Sequence, residues 1–547
     1  MHDWTHNVDD STALATLPVT DILVDGHTLS LDTVAAVGRG VPGLRVTVPG
    51  DADRRMAASR ELKRKLIATG IPIYGVTSGF GDSNTRQISE VKTEELQRNL
   101  LRFLGSGLGP VARPDVVRAT LLIRANCLAR GHSGVRPQLV RLLLDCLAED
   151  ILPLIPERGS VGASGDLVPL SYIGRMLTGE GEVLHRGERT DAAAALAAAG
   201  LRPVVLEAKE GLAVVNGTSF MSGFATMAMD RAAQLAFAAD LCTALTSQVL
   251  RGNPAHFADF LFEQKPHAGT RGSAARVRQL LKGSQSFDQQ TEREAVIPGD
   301  VDFRELDKPI QDRYSIRCAP HVTGVLADAL VWAGDWMTTE INSSNDNPLF
   351  DVAAGVARNG GNFYGGHVGL AMDSLKTALA SVGDLLDRQL ELVVDEKFNN
   401  GLTPNLIPWI EPGDGQAGLF HGFKGMQITA SSLVAEALKN TMPATSFSRS
   451  TEAHNQDKVS MGTIAARDAY TVAGLVEQVA AIHLLALCQA ADLRGAQQLS
   501  PATRAAHEAV RAVSPFLDAD RPLAGDIERV AELIGSGRLQ AAVTRLP

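Results

Sequence analysis

The sequence predicts a mainly α-helical protein in which long, buried helices form a central bundle beside a smaller, mixed N-terminal domain. Phe224–Leu250 is apolar on nearly all sides, which is typical of a helix surrounded by other helices. From Leu375 to Val393, large aliphatic residues recur at alternating steps of three and four, the spacing of a packed helical seam. Ala465–Leu493 predicts a third long helix. Buried helices of this length need neighbours, either from the same chain or from other subunits.

Shorter elements precede these helices. Over Ile22–Pro49, short apolar runs alternate with Gly and Pro, which predicts a few short strands and turns. Pro114, a residue suited to the first turn of a helix, opens an apolar pattern that Gly131 would end. The pattern repeats over Val135–Leu152, so we expect a second helix there.

The change from short elements to long helices divides the chain. We expect a flexible tail at 1–20, an N-terminal domain at 21–215 and the long-helix bundle at 216–547. Two polar or Gly/Pro-containing segments, 283–310 and 403–417, predict mobile loops within the bundle domain. With 547 residues, the chain is long enough to form both domains.

The overall composition argues against several classes of protein. The net charge of −10 and the pI near 5.8 disfavour nucleic acid as a partner, because binding it needs a basic face. The five cysteines form no CxxC pair or Cys/His cluster, so neither a disulfide framework nor a metal site is predicted. Glu477, Gln478 and His483 interrupt the most apolar stretch, Ala469–Ala491, which favours a buried helix over a membrane span. We therefore expect a soluble, cytoplasmic protein without a membrane partner.

The most informative local feature is a run of small residues, Ala163-Ser164-Gly165, placed where an extended segment turns into a helix. Because glycine has no Cβ, the backbone of Gly165 could fold back onto the carbonyl of Ala163. Asp166 is a preferred N-cap residue and Pro169 suits a first helical turn, so a helix is expected to begin here. Such a helix would direct its partial positive charge at the three small residues.

This segment resembles the signature of the aromatic amino acid ammonia-lyases and aminomutases, and the likeness extends over residues 25–545. In that family the Ala-Ser-Gly triplet cyclises and loses water to form a 4-methylidene-imidazol-5-one ring, abbreviated MIO. The resemblance implies that Ala163, Ser164 and Gly165 form this electrophilic cofactor without a metal. It also implies the fumarase/aspartase-like helical fold, a small aromatic amino acid as substrate, and a homotetramer whose active sites are shared between subunits.

The resemblance assigns catalytic roles to three further residues. Tyr74 lies on a Gly-flanked loop and would remove a β-proton from the substrate, although a phenol with an ordinary pKa near 10 needs help to act as a base. Asn216, in an Asn-Gly pair, would form a hydrogen bond with the MIO ring. Tyr314 would contact the same ring. Each of these motifs would otherwise indicate an ordinary turn or cap.

The family likeness also implies a set of substrate-binding residues. Arg317 would bind the carboxylate through its planar fork, and Glu452 would hold the amine. The remaining members of the implied set are Gln311, Asn347, Phe363, Lys424 and Gln456.

The pair Phe103-Leu104 bears on the choice of substrate. Histidine and tyrosine enzymes of the family carry His at this pair, whereas phenylalanine enzymes carry apolar residues. Two apolar side chains cannot form a hydrogen bond with a phenol. A buried hydroxyl without a hydrogen-bond partner costs about 1–3 kcal/mol. We therefore predict a phenylalanine ammonia-lyase that produces trans-cinnamate and ammonia, unless the two residues are only part of the core.

Several alternatives stay open at this point. A phenylalanine 2,3-aminomutase would use the same residues and return the amine to the β-carbon, so the sequence does not separate the two reactions. A tyrosine or histidine ammonia-lyase is a further alternative. The intact triplet, Tyr74 and Arg317 argue against a non-catalytic helical scaffold.

Overall fold

The computed structural model describes residues 20–287, 303, 305 and 310–545. In the N-terminal part, short strands and helices alternate. The strands there are β1 Thr20–Leu23, β2 Leu44–Thr47, β3 Leu108–Val111, β4 Ile151–Pro153, β5 Pro156–Arg158, β6 Glu182–His185 and β7 Glu188–Asp191. The helices there are α1 Leu31–Gly38, α2 Gly50–Ala68, α3 Thr93–Phe103, α4 Pro114–Ala129, α5 Pro137–Ala148, α6 Leu167–Leu177, α7 Ala192–Ala198 and α8 Glu210–Val215.

In the rest of the described chain, the regular elements are helices except for one hairpin, β8 Leu349–Asp351 with β9 Val356–Arg358. The helices are α9 Ser219–Val249, α10 Asp259–Glu263, α11 Ala268–Leu281, α12 Tyr314–Arg317, α13 Ala319–Ile341, α14 Gly366–Val394, α15 Lys424–Lys439, α16 Gly462–Arg494, α17 Pro501–Arg511, α18 Ala524–Gly535 and α19 Arg538–Thr544.

The strands form small sheets that tie loops together. β1 pairs with β2 in parallel, whereas β3 pairs with β5 and β4 pairs with β6 in antiparallel fashion. β6 continues into β7 through a hairpin. The β3–β5 pair lies immediately before the small-residue triplet, so it fixes the direction from which the chain enters that segment.

The core is the bundle of α9, α14 and α16, with α13 packed alongside. α9 is 31 residues long, α14 is 29 and α16 is 33. α16 is also long and apolar enough to cross a membrane, but 72% of its apolar window is buried inside the protein. Packing against α9 and α14 therefore accounts for its apolar character.

The three long helices predicted from the sequence are confirmed; they begin five, nine and three residues before the predicted starts and end within one residue of the predicted ends. Of the short strands and turns expected over Ile22–Pro49, two strands are present, but a helix that was not predicted, α1, lies between them. Ser30 caps this helix by accepting a hydrogen bond from the Thr33 amide at 3.1 Å. The Val135–Leu152 pattern is a helix, α5, that ends before strand β4.

The other predicted boundaries are not tested by the structure and stay predictions. The tail at 1–20 lies almost wholly outside the described residues, as does most of the 283–310 loop. The division at residue 215 falls between α8 and α9, yet α4 from the N-terminal part packs directly on α9. One continuous cluster of buried apolar side chains therefore includes residues from both sides of that boundary.

Candidate active site

The small-residue triplet lies between β5 and α6, pressed against the start of α9. Gly165 has φ +69°, and a Cβ at this position would lie 2.1 Å from the carbonyl oxygen of Gly217. The Asp166 amide donates to that same carbonyl at 2.7 Å, and the Gly217 amide donates to the Ser164 carbonyl at 3.2 Å. Both the backbone conformation and the close approach therefore require glycine at position 165.

The Ser164 carbonyl receives two hydrogen bonds from one neighbouring segment. Asn216 donates from its side-chain Nδ2 at 2.8 Å, and the next residue, Gly217, donates from its backbone amide. Among the described residues, the Gly165 amide nitrogen has no acceptor, so it is free for bond formation with the Ala163 carbonyl carbon. The small side chains, the free nitrogen and the paired donors all fit an MIO ring, whose carbonyl oxygen would be that of Ser164.

Three helices begin around the triplet. α6 begins at Leu167, directly after it, and α9 begins at Ser219, next to the Gly217 contact. The residues just before α16 donate backbone hydrogen bonds to the segment that leads into the triplet: Ser460 to Gly162 at 3.3 Å and Met461 to Val161 at 3.0 Å. Each helix brings a partial positive charge at its N-terminus, so the triplet lies in a field that favours developing negative charge.

The Asp166 carboxylate accepts hydrogen bonds from a different helix from the one expected. Asp166 stands at the N-cap position of α6, but its carboxylate makes no cap hydrogen bond there. It instead accepts from the Met221 amide in the first turn of α9 at 2.8 Å, from Ser160 Oγ at 2.9 Å and from the Thr463 hydroxyl. Burial raises the pKa of this carboxyl, while these donors oppose the shift. Ser160 and Thr463 carried no signal in the sequence, since isolated hydroxyl residues are common.

Tyr74 lies on the loop after α2, and its phenol oxygen accepts a hydrogen bond from the Gly81 amide at 2.9 Å. Burial raises the pKa of this phenol above its ordinary value; the Gly81 hydrogen bond opposes the shift and the charge of Glu452 adds to it. The Glu452 carboxylate accepts from the next amide, Asp82, at 2.9 Å. The predicted base and the predicted amine-binding carboxylate therefore face the same short stretch of loop.

Glu452 belongs to an unusual turn, residues 451–456, which we call the left-handed turn. Glu452, Ala453 and His454 have φ values of 53°, 52° and 63°. Each non-glycine residue in this region costs about 1–2 kcal/mol. At the end of the turn, Gln456 Nε2 donates to Ser164 Oγ at 3.1 Å. The turn thus connects the Tyr74 loop with the hydroxyl that ring formation would remove.

The loop after α13 lies behind this site. Asn345 Nδ2 donates to Thr218 Oγ1 at 2.7 Å, and Asn347 Oδ1 accepts from the Gly360 amide at 2.8 Å. Phe363 is half-buried and precedes Gly365, where a Cβ would lie 2.3 Å from Met221 Sδ. Asn347 and Phe363 are therefore on segments that pack against the start of α9, at the same end of the bundle as the triplet.

Arg124 is a further residue of this region that sequence reasoning missed. It is fully buried, and its Nη1 donates to the Asn216 carbonyl at 3.0 Å and to the Ala213 carbonyl at 3.1 Å. Its Nη2 donates to Asn345 Oδ1 at 3.2 Å. Arg124 therefore supports the backbone that presents Asn216 to the triplet. Its position in an apolar helical pattern offered no signal, because arginine is most often found at the surface.

A cavity of about 890 Å³ opens along the same loop, lined by Arg130, His132, Asp346 and Asn362 among others. Its charged groups already have partners: Arg130 donates to Gly26 and Ser344, and Asp346 accepts from the buried Lys209 at 2.7 Å. The triplet and Tyr74 do not line it. Chemistry therefore places the candidate site at the triplet rather than in this cavity.

A second group of predicted residues lies at the other end of the bundle. Gln311 and Tyr314 are exposed, and the Arg317 guanidinium stacks 4.5 Å from the Tyr314 ring centre. Gln389 on α14 donates to both the Ser315 carbonyl at 2.8 Å and Thr243 Oγ1 on α9 at 2.9 Å. Thr243 is 24 residues along α9 from Ser219, a distance of about 36 Å at 1.5 Å per residue. Within one chain, Arg317 is therefore far from the triplet.

Lys424 belongs to this distant group. It begins α15, and Ser431, two turns further on, donates to Asp387 near the C-terminal end of α14 at 3.0 Å. α14 begins beside the triplet and runs away from it. The N-terminal end of α15, where Lys424 lies, is therefore on the same side of the bundle as Arg317. The side chain of Lys424 is exposed. The predicted site residues thus form two groups, at opposite ends of the same helices.

The proposed selectivity pair ends α3, which lies beside the triplet end. Gln97 on this helix donates to the Gly75 carbonyl at 3.0 Å and accepts from the Leu212 amide of α8 at 2.9 Å. α3 is thereby tied both to the Tyr74 loop and to the helix that leads to Asn216. Leu104 is buried, whereas Phe103 is 61% exposed in the single chain.

Comparison with known proteins agrees with the geometry at the triplet. The sequence model of the aromatic amino acid lyase family matches residues 29–512. This chain belongs to the aromatic amino acid lyase family. The family match covers the triplet, both groups of site residues and the three long helices.

Individual members of the family are similar over nearly their full length. A histidine ammonia-lyase from Gloeobacter violaceus is 41% identical, covering 96% of this chain and 98% of that protein. A MIO-dependent tyrosine 2,3-aminomutase from Streptomyces globisporus is 38% identical, covering 96% and 97%. The solved structure of the Streptomyces globisporus tyrosine aminomutase has a TM-score of 0.89 at 37% identity, covering 96% and 99%. Pantoea agglomerans phenylalanine aminomutase has a TM-score of 0.87 at 33% identity, covering 94% and 98%.

Membership in the aromatic amino acid lyase family confirms several predictions. The mainly helical fold is that of the fumarase/aspartase-like superfamily, the enzyme is a carbon–nitrogen lyase or aminomutase acting on an aromatic amino acid, and its cofactor is MIO. Within the described part of the chain, no group of three or more His, Cys, Asp or Glu is arranged to hold a metal ion. The individual roles of the site residues stay predictions.

Proposed function

We propose that this aromatic amino acid lyase is a phenylalanine ammonia-lyase, which converts L-phenylalanine to trans-cinnamate and ammonia. The observation that carries the proposal is the Phe103-Leu104 pair at the end of α3, a helix tied by Gln97 to the Tyr74 loop. An aromatic ring held there would meet apolar side chains and find no partner for a phenol or an imidazole from this pair. An unsubstituted ring is therefore the substrate that these residues favour.

The remaining residues supply the chemistry around that ring. When formed, MIO supplies an electrophilic carbon at the position of Ser164. The Asn216 side chain and the Gly217 amide hold the Ser164 carbonyl oxygen, and the three helix N-termini favour negative charge there. The phenol oxygen of Tyr74, once deprotonated, accepts the β-proton. Loss of this proton and of the amine leaves a carbon–carbon double bond, with cinnamate and ammonia as products.

Two charged side chains bind the substrate and orient it for this reaction. The Glu452 carboxylate, beside the Tyr74 loop, holds the substrate amine. Arg317 binds the carboxylate: its Nε donates to the Asp312 carbonyl at 3.1 Å, and its two terminal nitrogens form no hydrogen bond or ion pair with the described residues. Such a free guanidinium fork matches a carboxylate in geometry and charge.

We propose a homotetramer with shared active sites. Within one chain, Arg317 and the triplet lie near opposite ends of α9, about 36 Å apart along the helix, so one chain alone cannot bring them together. A neighbouring subunit packed antiparallel would bring its Arg317, Tyr314 and Lys424 to the triplet. Exposed apolar residues such as Ile428 and Leu438 on α15 favour such packing. Light scattering should give about four times the chain mass of 58.0 kDa for active enzyme, and active single chains would refute the proposal.

Mixing two defective variants tests the shared site directly. Tyr74→Phe and Arg317→Ala are each expected to be nearly inactive. Co-refolding them should restore part of the activity, because some mixed sites then carry both an intact Tyr74 and an intact Arg317. Mixing each variant with itself under the same conditions is the control, and it should restore nothing.

Separate assays with L-phenylalanine, L-tyrosine and L-histidine test the choice of substrate. We expect phenylalanine to have the highest kcat/KM, with tyrosine at least about tenfold lower. Preference for histidine or tyrosine would refute the phenylalanine proposal while leaving the family assignment intact. A cytoplasmic location is a further prediction, which fractionation of the source cells would test.

A phenylalanine 2,3-aminomutase is the second candidate, because two of the similar proteins above are aminomutases. The residues that remove the β-proton and hold the amine would serve both reactions. Analysis of the reaction mixture for β-phenylalanine decides between them. Cinnamate as the sole product supports the lyase, whereas β-phenylalanine formed before free cinnamate accumulates supports the aminomutase.

A further inference from the structure

We infer that His454 is a positioning residue for the reaction, because its hydrogen bond with Ser450 holds the left-handed turn that joins the Tyr74 loop to the triplet. His454 Nδ1 lies 2.8 Å from Ser450 Oγ, and both residues are exposed in the single chain. His454 makes no hydrogen bond to the triplet among the described residues, so it acts through its neighbours. The inference rests on the proposed function.

The left-handed turn touches the site at two separate points. At its start, Glu452 accepts the Asp82 amide and packs against Gly81, where a Cβ would lie 1.7 Å from Glu452 Oε1. The adjacent Gly81 amide holds the phenol of Tyr74 at 2.9 Å. At its end, Gln456 reaches Ser164 Oγ. Any displacement of the turn therefore moves the base, the amine-binding carboxylate and a partner of the triplet together.

The turn needs external support, because its backbone conformation is unfavourable on its own. Three consecutive non-glycine residues with φ between 52° and 63° are rare, and one of them is alanine, which has no side-chain polar group to stabilise the left-handed region. Thr451 and Gln456 exchange backbone hydrogen bonds at 3.0 and 3.3 Å across the base of the turn. Asn455 bonds back to Glu452 through both its amide and its side chain.

The Ser450–His454 hydrogen bond adds a side-chain contact that ties the last left-handed residue to the segment before the turn. Strain of this kind at a functional site is retained when it places reacting groups correctly. Loss of the contact should let the turn relax toward ordinary backbone angles and draw Glu452 and Gln456 away from their partners. Activity should then fall while the fold, whose core lies in the long helices, is maintained.

Three substitutions at position 454 separate positioning from stability. His454→Ala removes the hydrogen bond and keeps the strain, whereas His454→Asn keeps a polar side chain and tolerates the left-handed region. His454→Gly removes both the bond and the strain. We expect about a tenfold loss of kcat/KM for the Ala and Gly variants and less than a threefold loss for Asn, with the loss mainly in kcat.

Thermal unfolding and a distant control complete the experiment. His454→Gly should have a Tm equal to or higher than that of the wild type, so activity and stability move in different directions. Arg186→Gly relieves the same backbone conformation, φ 52°, in the hairpin between β6 and β7, and should leave kcat/KM within twofold. Ser450→Ala should reproduce the kinetics of His454→Ala.

Two results would overturn the inference. If His454→Ala keeps the wild-type kcat/KM, the hydrogen bond does not position the turn. If the Ala, Asn and Gly variants all lose activity in proportion to a lower Tm, His454 has only a structural role. An inactive wild-type enzyme on aromatic amino acids would overturn the proposed function as well, whereas an active wild type with an unaffected His454→Ala overturns this inference alone.

Discussion

Glu452→Gln is expected to shift the pH dependence of catalysis to lower pH. The phenol of Tyr74 accepts from the Gly81 amide and the Glu452 carboxylate accepts from the adjacent Asp82 amide, each at 2.9 Å. These amides are neighbours in the chain, at about 3.5 Å per residue, so the two oxygens lie between about 3 and 9 Å apart, with roughly 6 Å as the middle of this range. Burial is the main cause of the raised pKa of Tyr74, and the Glu452 charge adds to it, because a negative charge at this distance disfavours the phenolate.

The size of the shift follows from Coulomb's law. Two unit charges about 6 Å apart interact by about 0.7 kcal/mol in water and about 2.8 kcal/mol at an effective dielectric constant of 20. Removal of the Glu452 charge abolishes this repulsion and so lowers the pKa of Tyr74. Since the deprotonated phenol is the active base, the acid limb of the kcat/KM profile should move to lower pH, to an extent set by this interaction energy.

The assay is the initial rate of product formation from L-phenylalanine at low substrate concentration across a pH series. Glu452→Gln will also weaken amine binding, which lowers the height of the profile, whereas the position of the acid limb reports the base. Glu532→Gln, on an exposed site of α18, is the matched control and should leave the limb unchanged. A limb that stays in place, or moves to higher pH, in Glu452→Gln would refute the assignment of Tyr74 as the base beside Glu452.

Three further substitutions test the remaining assignments. Ser164→Ala should lower turnover by orders of magnitude and abolish the near-ultraviolet absorbance of the ring while circular dichroism stays unchanged; near-normal turnover without the ring would contradict the cofactor assignment. Tyr74→Phe should lose most activity but keep that absorbance, because the phenol acts after the ring has formed, and a normal rate would require another base. Phe103→His should raise the ratio of kcat/KM for tyrosine over phenylalanine by about tenfold, through a new partner for the phenol and a loss of apolar surface. An unchanged ratio would remove Phe103 from the ring pocket.

Local sequence patterns were sufficient for the long helices and for the position of the triplet. The apolar character of α9 and α16 reflects contact with other helices on every side, so composition alone identifies them. The residue type of Gly165 likewise indicated a backbone that can turn tightly, although the close approach of Gly217, which also requires glycine there, is a contact with a residue distant in sequence. These features depend on neighbours close in sequence or on the simple presence of a core.

Features that depend on residues distant in sequence could not be predicted from local sequence patterns. Asp166 is a good N-cap by type, but its acceptors are used by Met221, Ser160 and Thr463, because α9 and α16 also begin beside it. The burial of Arg124 depends on the carbonyls that α8 leaves unpaired near Asn216. No periodicity encodes which helix ends meet. Likewise, the separation of Arg317 from the triplet follows from the length and direction of α9 and α14, which motifs do not report.

The placement of the two residue groups at opposite ends of α9 has a consequence for how the enzyme responds to dilution. In the proposed homotetramer, a subunit that separates from its neighbours keeps the triplet at one end and Arg317 at the other, so it would hold two half-sites and no complete one. Specific activity should therefore fall once the concentration drops below that at which subunits separate, although each chain keeps its helical content. Recovery on reconcentration would then follow second-order kinetics, with a lag set by subunit encounter rather than by refolding.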